Sequence, residues 1–313
     1  MIEARKWVAT AFGGPEVLNE IREEVPDPGP GEITVQVRAA GMNPADYKHF
    51  GPGQDPSLLP VSTGFEVAGV IAAIGPGTEI ASGGGAVGDE VVVFQISYGY
   101  ASALNAPAAD TFAKPSNLTF PEAANLLLVG TTAADALNTV SASEGDTVLV
   151  HAAAGAVGTS VIQQARLLGA TVIGTAAEDD FDHLRGFGAT PVAYGPGLEE
   201  RLRALTPDGF DAVIDTIGVD EAVDVSLAVV RDRQRFVTLT AFKRAAGEGF
   251  RSIGANNPNS GPFRAAARPR ILALAAAGKL AVPIGQTFPL RETPRAVQAL
   301  KGHHPYGKLA LVP

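Results

Sequence analysis

Strand and helix signatures alternate from Ser143 to Ala241, and no other feature limits the fold of this chain as strongly. DTVLVHA reads as a strand, and AVGTSVIQQARLLG as a helix with Val157, Val161, Ile162, Ala165 and Leu168 on one face. The strands ATVIGTA, TPVAY, DAVIDTIG and RFVTLTA follow, separated by the helices DDFDHLRGFG, LEERLRALT and EAVDVSLAVV. Short alternation of this kind builds right-handed βαβ crossovers on a parallel sheet. The strands are apolar on both faces, as a sheet covered by helices on each side requires.

The flanks read differently. Up to about residue 110 the chain carries short β-branched runs, EITVQVRAAGM, FEVAGVIAAIG and DEVVVFQI, bounded by glycine and proline. After the helix ARPRILALAAAGKL come the strands IGQTFPL and GKLALVP on either side of the helix TPRAVQALKG. The expected fold is α/β: a doubly wound parallel sheet over residues 118–261, inserted in a β-rich domain made of residues 1–117 and 262–313.

Composition removes several function classes. The net charge of −9 and the lack of basic stretches argue against nucleic acid and anionic membrane surfaces as partners. No run of 18 apolar residues occurs and the first residues carry no apolar signal core, so a soluble cytoplasmic protein is expected. The chain has no cysteine, which excludes disulfides, thiolate catalysis and cysteine-ligated zinc. The five histidines, among them the adjacent His303 and His304, show no metal-binding spacing.

HAAAGAVG is the candidate nucleotide loop. A strand ends, a glycine-containing turn follows, and a helix begins whose free N–H groups and dipole favour a phosphate. The usual G-x-G-x-x-G loses its first glycine to Ala153 and keeps Gly155, for close approach of the pyrophosphate, and Gly158, for close helix–strand packing. The second strand ends in Gly174-Thr175, without the acid an NAD-selective site places there, which favours NADPH over NADH. Glu178, Asp179 and Asp180 follow and oppose a phosphate, unless they serve only as acids at the next helix N-terminus.

The ordered set AAGMNPADYKHFG, GFEVAGVIAAIGPG, DEVVVF, PEAANLLLVGTTAADAL, VLVHAAAGAVG, DAVIDTIG, AGKL, TFPL and GKLALVP resembles the medium-chain dehydrogenase/reductase superfamily in its zinc-free quinone oxidoreductase (zeta-crystallin-like) branch, over nearly the whole chain. The resemblance implies a Rossmann domain inserted in a GroES-like catalytic domain. It implies metal-free hydride transfer from NADPH to a quinone or α,β-unsaturated carbonyl, and a homodimer formed through the edge of the nucleotide-domain sheet. Zinc relatives carry Gly-His-Glu where this chain has Gly64-Phe65-Glu66, and cysteine where it has Asn43.

The same resemblance implies the site residues. Asn43, Asp46 and Tyr47 line the substrate side, Asn43 as a neutral donor, Asp46 ordering the loop or giving a proton, and Tyr47 donating its phenol or simply packing. Lys48 and His49 are expected in solvent. On the cofactor side stand Ala154, Gly155, Ala156, Val157 and Gly158 of the loop, with Thr175, Ala176, Thr216 and Thr240. Thr132 matches the threonine of the family segment VGLTAY and reads equally as a helix N-cap. Tyr194 matches a tyrosine beside the 2′-phosphate, joined by Lys308 unless that is a surface lysine. The family lysine of that pocket falls at Asp180 and its serine at Ala177, against NADPH. Enoyl reductases carry a proton-donating tyrosine where this chain has Gln54. His151 is expected to be a packed strand-end residue. Two alternatives stand beside the leading reading: a reductase or dehydrogenase for another carbonyl substrate in a biosynthetic pathway, and a cofactor-binding protein without turnover.

Overall fold

The computed structural model describes residues 1–254, 257–302 and 306–313, so His303 and His304 lie outside the described residues. The chain forms two compact units, Met1–Leu128 with Val282–Pro313, and Val129–Ala281 inserted between them in sequence. The inserted unit thus begins at 129 rather than 118 and ends at 281 rather than 261. The helix Phe120–Ala123 stays with the first unit because it packs on the strands Glu32–Gly41 and Glu66–Ile74. The helix Ser260–Ala276 belongs to the inserted unit, where Ile271 fills the space a side chain on Gly130 would need.

The inserted unit carries six parallel strands, in chain order Thr147–His151, Thr171–Ala176, Thr190–Ala193, Ala212–Asp215, Phe236–Thr238 and Arg251–Ser252. Across the sheet they run third, second, first, fourth, fifth, sixth. The order reverses between the first and fourth strands, and ligands of such sheets bind outside the carboxyl ends at that reversal. The first strand is buried on both faces: Val148 and Val150 join one apolar cluster, Leu149 the other.

In the first unit a seven-stranded sheet runs Ile284–Pro289, Lys308–Val312, Glu32–Gly41, Glu66–Ile74, Glu90–Phe94 and Thr111–Ala113, with Ala103–Pro107 also paired to Glu32–Gly41. A second sheet joins Leu18–Val25, Ile2–Ala9 and Val61–Ser62. Two pairings position the site. Ala310 lies opposite Gly41, and Ala40 opposite Val67, so Lys308, Met42-Asn43 and Glu66 meet at one end of three neighbouring strands. Gly41 is required there, because a Cβ would stand 2.1 Å from the carbonyl oxygen of Ala124 and 2.8 Å from the Glu66 side chain.

The helix Leu127–Thr139 begins well ahead of Thr132, where the sequence reading places an N-cap. LLVGTTAADALNT is apolar or small all round, with Ala133, Ala134, Ala136 and Leu137 buried, and so shows no amphipathic period. Among the described residues no helix is long and apolar enough to cross a membrane.

Candidate active site

At the candidate nucleotide loop the strand Thr147–His151 turns into the helix Ala156–Leu167, with its own allocation of small residues. Gly155 caps the helix Ala156–Leu167 with extended backbone and no side-chain cap. The N–H groups of Ala156, Val157 and Gly158 therefore lack intrahelical partners and remain available to an anion. A Cβ on Gly158 would lie 2.6 Å from the Ala152 carbonyl and 2.7 Å from the Ala153 Cα and carbonyl oxygen, so only glycine lets the helix sit this close to the turn. The missing first glycine is compensated on the neighbouring strand: a Cβ on Gly174 would meet the Ala153 methyl at 2.5 Å. The methyl that Ala153 adds to the turn occupies the space Gly174 leaves open. The left-handed residue of the turn is Ala152, at φ 51°. Its N–H donates to Thr175 Oγ1 at 3.2 Å, which holds this uncommon conformation.

The other expected cofactor residues separate into two groups. Thr175 and Ala176 are buried, and the Thr175 hydroxyl faces His151 Nδ1 and the Ala152 N–H, so these side chains shape the turn from behind. Thr216 Oγ1 donates to the His151 carbonyl at 2.8 Å and ties the loops at the strand reversal together. Tyr194 (58% exposed) and the exposed Thr240 follow the third and fifth strands, so with Ala154–Gly158 and Thr216 they share the carboxyl edge of the sheet. Glu178–Asp180 open the helical segment ahead of Phe181–Gly186, where acids suit the helix dipole. Thr132 is the sixth residue of the helix Leu127–Thr139, so its expected N-cap role falls away. His151 is buried at its strand end, and burial, partly opposed by the nearby Asp215, pushes its imidazole down to about 4 and keeps it neutral.

Sequence reasoning missed three further features of this edge. Ile217 and Val219, at 48% and 46% exposure, and the exposed Phe242 offer apolar surface beyond the fourth and fifth strands. Their signal was position, immediately after strand ends. Beneath them the buried Asp215 accepts from the N–H groups of Ile217 (3.0 Å) and Gly218 (2.8 Å) and from Thr238 Oγ1 (2.7 Å). Thr238 Oγ1 in turn accepts from the N–H groups of Thr240 and Ala241. One carboxyl thereby fixes both loops.

In the first unit, Asn43, Asp46, Glu66, Tyr100 and Lys308 form a buried polar cluster. Lys308 Nζ donates to the Met42 carbonyl (2.6 Å) and to Asn43 Oδ1 (2.5 Å). Asn43 Nδ2 donates to Glu66 Oε1 at 3.0 Å, and Glu66 Oε2 accepts the Leu128 N–H at 3.0 Å. Asp46 Oδ2 accepts from the Asn43 N–H and from the Tyr100 hydroxyl, each at 2.7 Å. Lys308 thus departs from both of its expectations: it is buried rather than on the surface, and its ammonium is engaged by Met42 and Asn43 instead of a 2′-phosphate. Tyr47 is half-buried, with Lys301 5.7 Å over its ring, while Lys48 and His49 are exposed and His49 stacks on Phe65.

Burial raises the Asp46 carboxyl to about 7, against the opposing hydrogen bonds from Tyr100 and Asn43 and the charge of Lys308. Glu66 is pushed up and Lys308 pushed down, burial being the main cause in each. One ammonium faces two carboxyls, so the second carboxyl keeps its proton into the neutral range. Because folded Asp46 binds its proton more tightly than the unfolded chain does, its contribution to stability is full below about pH 4 and is lost as pH rises through about 7. Asp46→Asn keeps an oxygen for Asn43 and Tyr100 but cannot ionise. It is expected to be more stable than the parent at pH 8 by about 2–4 kcal/mol, with the gap closing toward pH 5, in urea titrations at both pH values.

No group of three or more His, Cys, Asp or Glu side chains among the described residues is arranged to hold a metal ion. The donors at the relevant positions are the Asn43 amide and Glu66, with the side chain of Phe65 alongside and the Lys308 ammonium already bonded to Asn43 Oδ1. A divalent cation does not fit against that ammonium. A dinucleotide does fit the inserted unit, whose glycine-shaped cradle presents unpaired N–H groups.

Residues 29–112 match the alcohol dehydrogenase GroES-like domain, and residues 156–257 the zinc-binding dehydrogenase family. The chain belongs to the medium-chain dehydrogenase/reductase superfamily and, within it, to the quinone oxidoreductase-like branch. It is similar to the mouse synaptic vesicle membrane protein VAT-1 homolog, 37% identical over 68% of this chain and 53% of that protein. It therefore spans about half the length of that relative. It is also similar to the Arabidopsis thaliana chloroplastic NADPH-dependent alkenal/one oxidoreductase, 29% identical over 99% of this chain and 80% of that protein. A solved quinone oxidoreductase from Coxiella burnetii superposes with a TM-score of 0.83, at 27% identity and complete coverage of both chains.

Proposed function

We propose that this protein is a metal-free reductase that uses NADPH to reduce a quinone or an α,β-unsaturated carbonyl. The observation that carries the reading is the buried cluster of the first unit, in which Asn43, at the position where the resemblance puts a cysteine in zinc relatives, is bonded to the Lys308 ammonium and to Glu66. When bound, the nicotinamide cofactor supplies a hydride, and a proton completes the two-electron reduction. Ala156, Val157 and Gly158 would hold the pyrophosphate through their N–H groups, and Ile217, Val219 and Phe242 would give apolar walls. Asn43 offers an N–H toward the acceptor's carbonyl oxygen as charge develops there. Quinones and enones suit such a site because they accept hydride without Lewis-acid help. The alkenal/one oxidoreductase and quinone oxidoreductase relatives support this substrate class.

NADPH is preferred in this reading because Tyr194 is free to meet a 2′-phosphate and no acid closes the second strand. Tyr194→Ala is expected to raise the KM for NADPH about tenfold, the worth of one hydrogen bond to a charged group, and to leave that for NADH unchanged. Steady-state oxidation of both cofactors over a panel of quinones, enones, aldehydes and alcohols tests the whole reading. Highest kcat/KM with quinones or enones supports it. Preference for aldehydes or alcohols places the protein with reductases of other carbonyls, and tight NADPH binding with no acceptor makes it a binding protein.

A further inference from the structure

We infer that Lys308 and Glu66 are positioning residues that lock the Asn43 amide from both ends and so decide which of its atoms meets a substrate. This rests on the assignment of Asn43 to the substrate side. An ammonium only donates, so the atom facing Lys308 Nζ is Oδ1; a carboxylate only accepts, so the atom facing Glu66 Oε1 is Nδ2. The amide cannot flip without setting donor against donor and acceptor against acceptor. Its main chain is fixed as well, since the Asn43 N–H is held by Asp46 Oδ2, itself anchored by the Tyr100 hydroxyl. Of the two Nδ2 hydrogens one is spent on Glu66, and the other is the donor that remains.

The lock needs both ends of the chain. Lys308 reaches Asn43 across 265 residues through the pairing of Ala310 with Gly41, and its second bond, to the Met42 carbonyl, fixes the ammonium beside the amide. Glu66 is fixed by the Leu128 N–H on its other oxygen, so it cannot rotate away. A pair of opposite charges thus acts through a neutral amide, and its product is a directed N–H.

Lys308→Met and Glu66→Gln test this in the full-length protein, each also combined with Asn43→Ala. Glu66→Gln is close to isosteric and serves where removal of the ammonium prevents folding. Expected is a fall in kcat with a quinone of at least tenfold in each single variant, about the effect of losing one directed donor. The Kd for NADPH should be unchanged, because its candidate site lies in the inserted unit. In the Asn43→Ala background the same changes should cost nothing further in kcat, since they act through the amide. In the NMR spectrum the Asn43 Nδ2 proton bonded to Glu66 should have a chemical shift set by that bond in the parent, and the Asn43 side-chain amide resonances should shift in the variants as the bond is lost or reoriented. Full kcat in the single variants, an equal loss in both backgrounds, or an unchanged amide spectrum would overturn the inference. Absence of turnover in the parent itself would instead remove the proposed activity, and the amide spectrum would still decide whether the lock exists.

Discussion

Gly158→Ala is expected to raise the dissociation constant for NADPH by at least about tenfold and to destabilise the inserted unit by about 2–3 kcal/mol. The added Cβ would stand 2.6–2.7 Å from three backbone atoms of Ala152 and Ala153, none of which can rotate aside. Relief requires the helix Ala156–Leu167 to lift away from the turn. That movement displaces the N–H groups meant for the pyrophosphate, so affinity and stability fall together. Fluorescence titration with NADPH and thermal unfolding measure the two effects. Gly155→Ala provides the control for stability, because its Cβ meets only the Ala152 carbonyl, at 3.2 Å, and its φ of −65° suits alanine.

Asp215→Ala should cost about 3–5 kcal/mol of stability and most of the cofactor affinity. Three donors, two backbone N–H groups and the Thr238 hydroxyl, converge on this one buried carboxyl, and its removal leaves them without an acceptor. The loops Thr216–Val219 and Leu239–Phe242 lose their common anchor, and with it the placement of Ile217, Val219, Thr240 and Phe242. Asp215→Asn keeps one acceptor oxygen but turns a donor toward the remaining groups, so an intermediate loss is expected in urea unfolding and in NADPH titration. Equal stability of Asp215→Ala and the parent would show that the two loops are held by something else.

The inserted unit was readable because its strands are apolar on both faces and its helices on one, so each element announces its period. The helix Leu127–Thr139 was not, since alanine, threonine and glycine pack on all of its sides, and this also misplaced Thr132 at a helix start. On the candidate site, the motif around Asn43 singles that residue out. The partners that define its chemistry were not legible. A lysine in GKLALVP reads as exposed in any local window, and only the pairing of the last strand with the strand ending at Gly41 brings it into the core. Asp215 was hidden in the same way, as one polar residue at the end of an apolar run whose value depends on loops folding over it. The missing first glycine of the loop had its answer on the next strand, where Gly174 makes room for Ala153; that compensation needs the register Gly174 to Val150 to be seen.

Metal-free turnover is measured by the oxidation of NADPH by a quinone and by an enone, followed before and after exhaustive treatment with a metal chelator. Oxidation is expected with at least one of the two acceptors, at a rate unchanged by chelation. NADPH that binds but is oxidised by neither, or activity that vanishes with the chelator and returns with zinc, would contradict metal-free turnover.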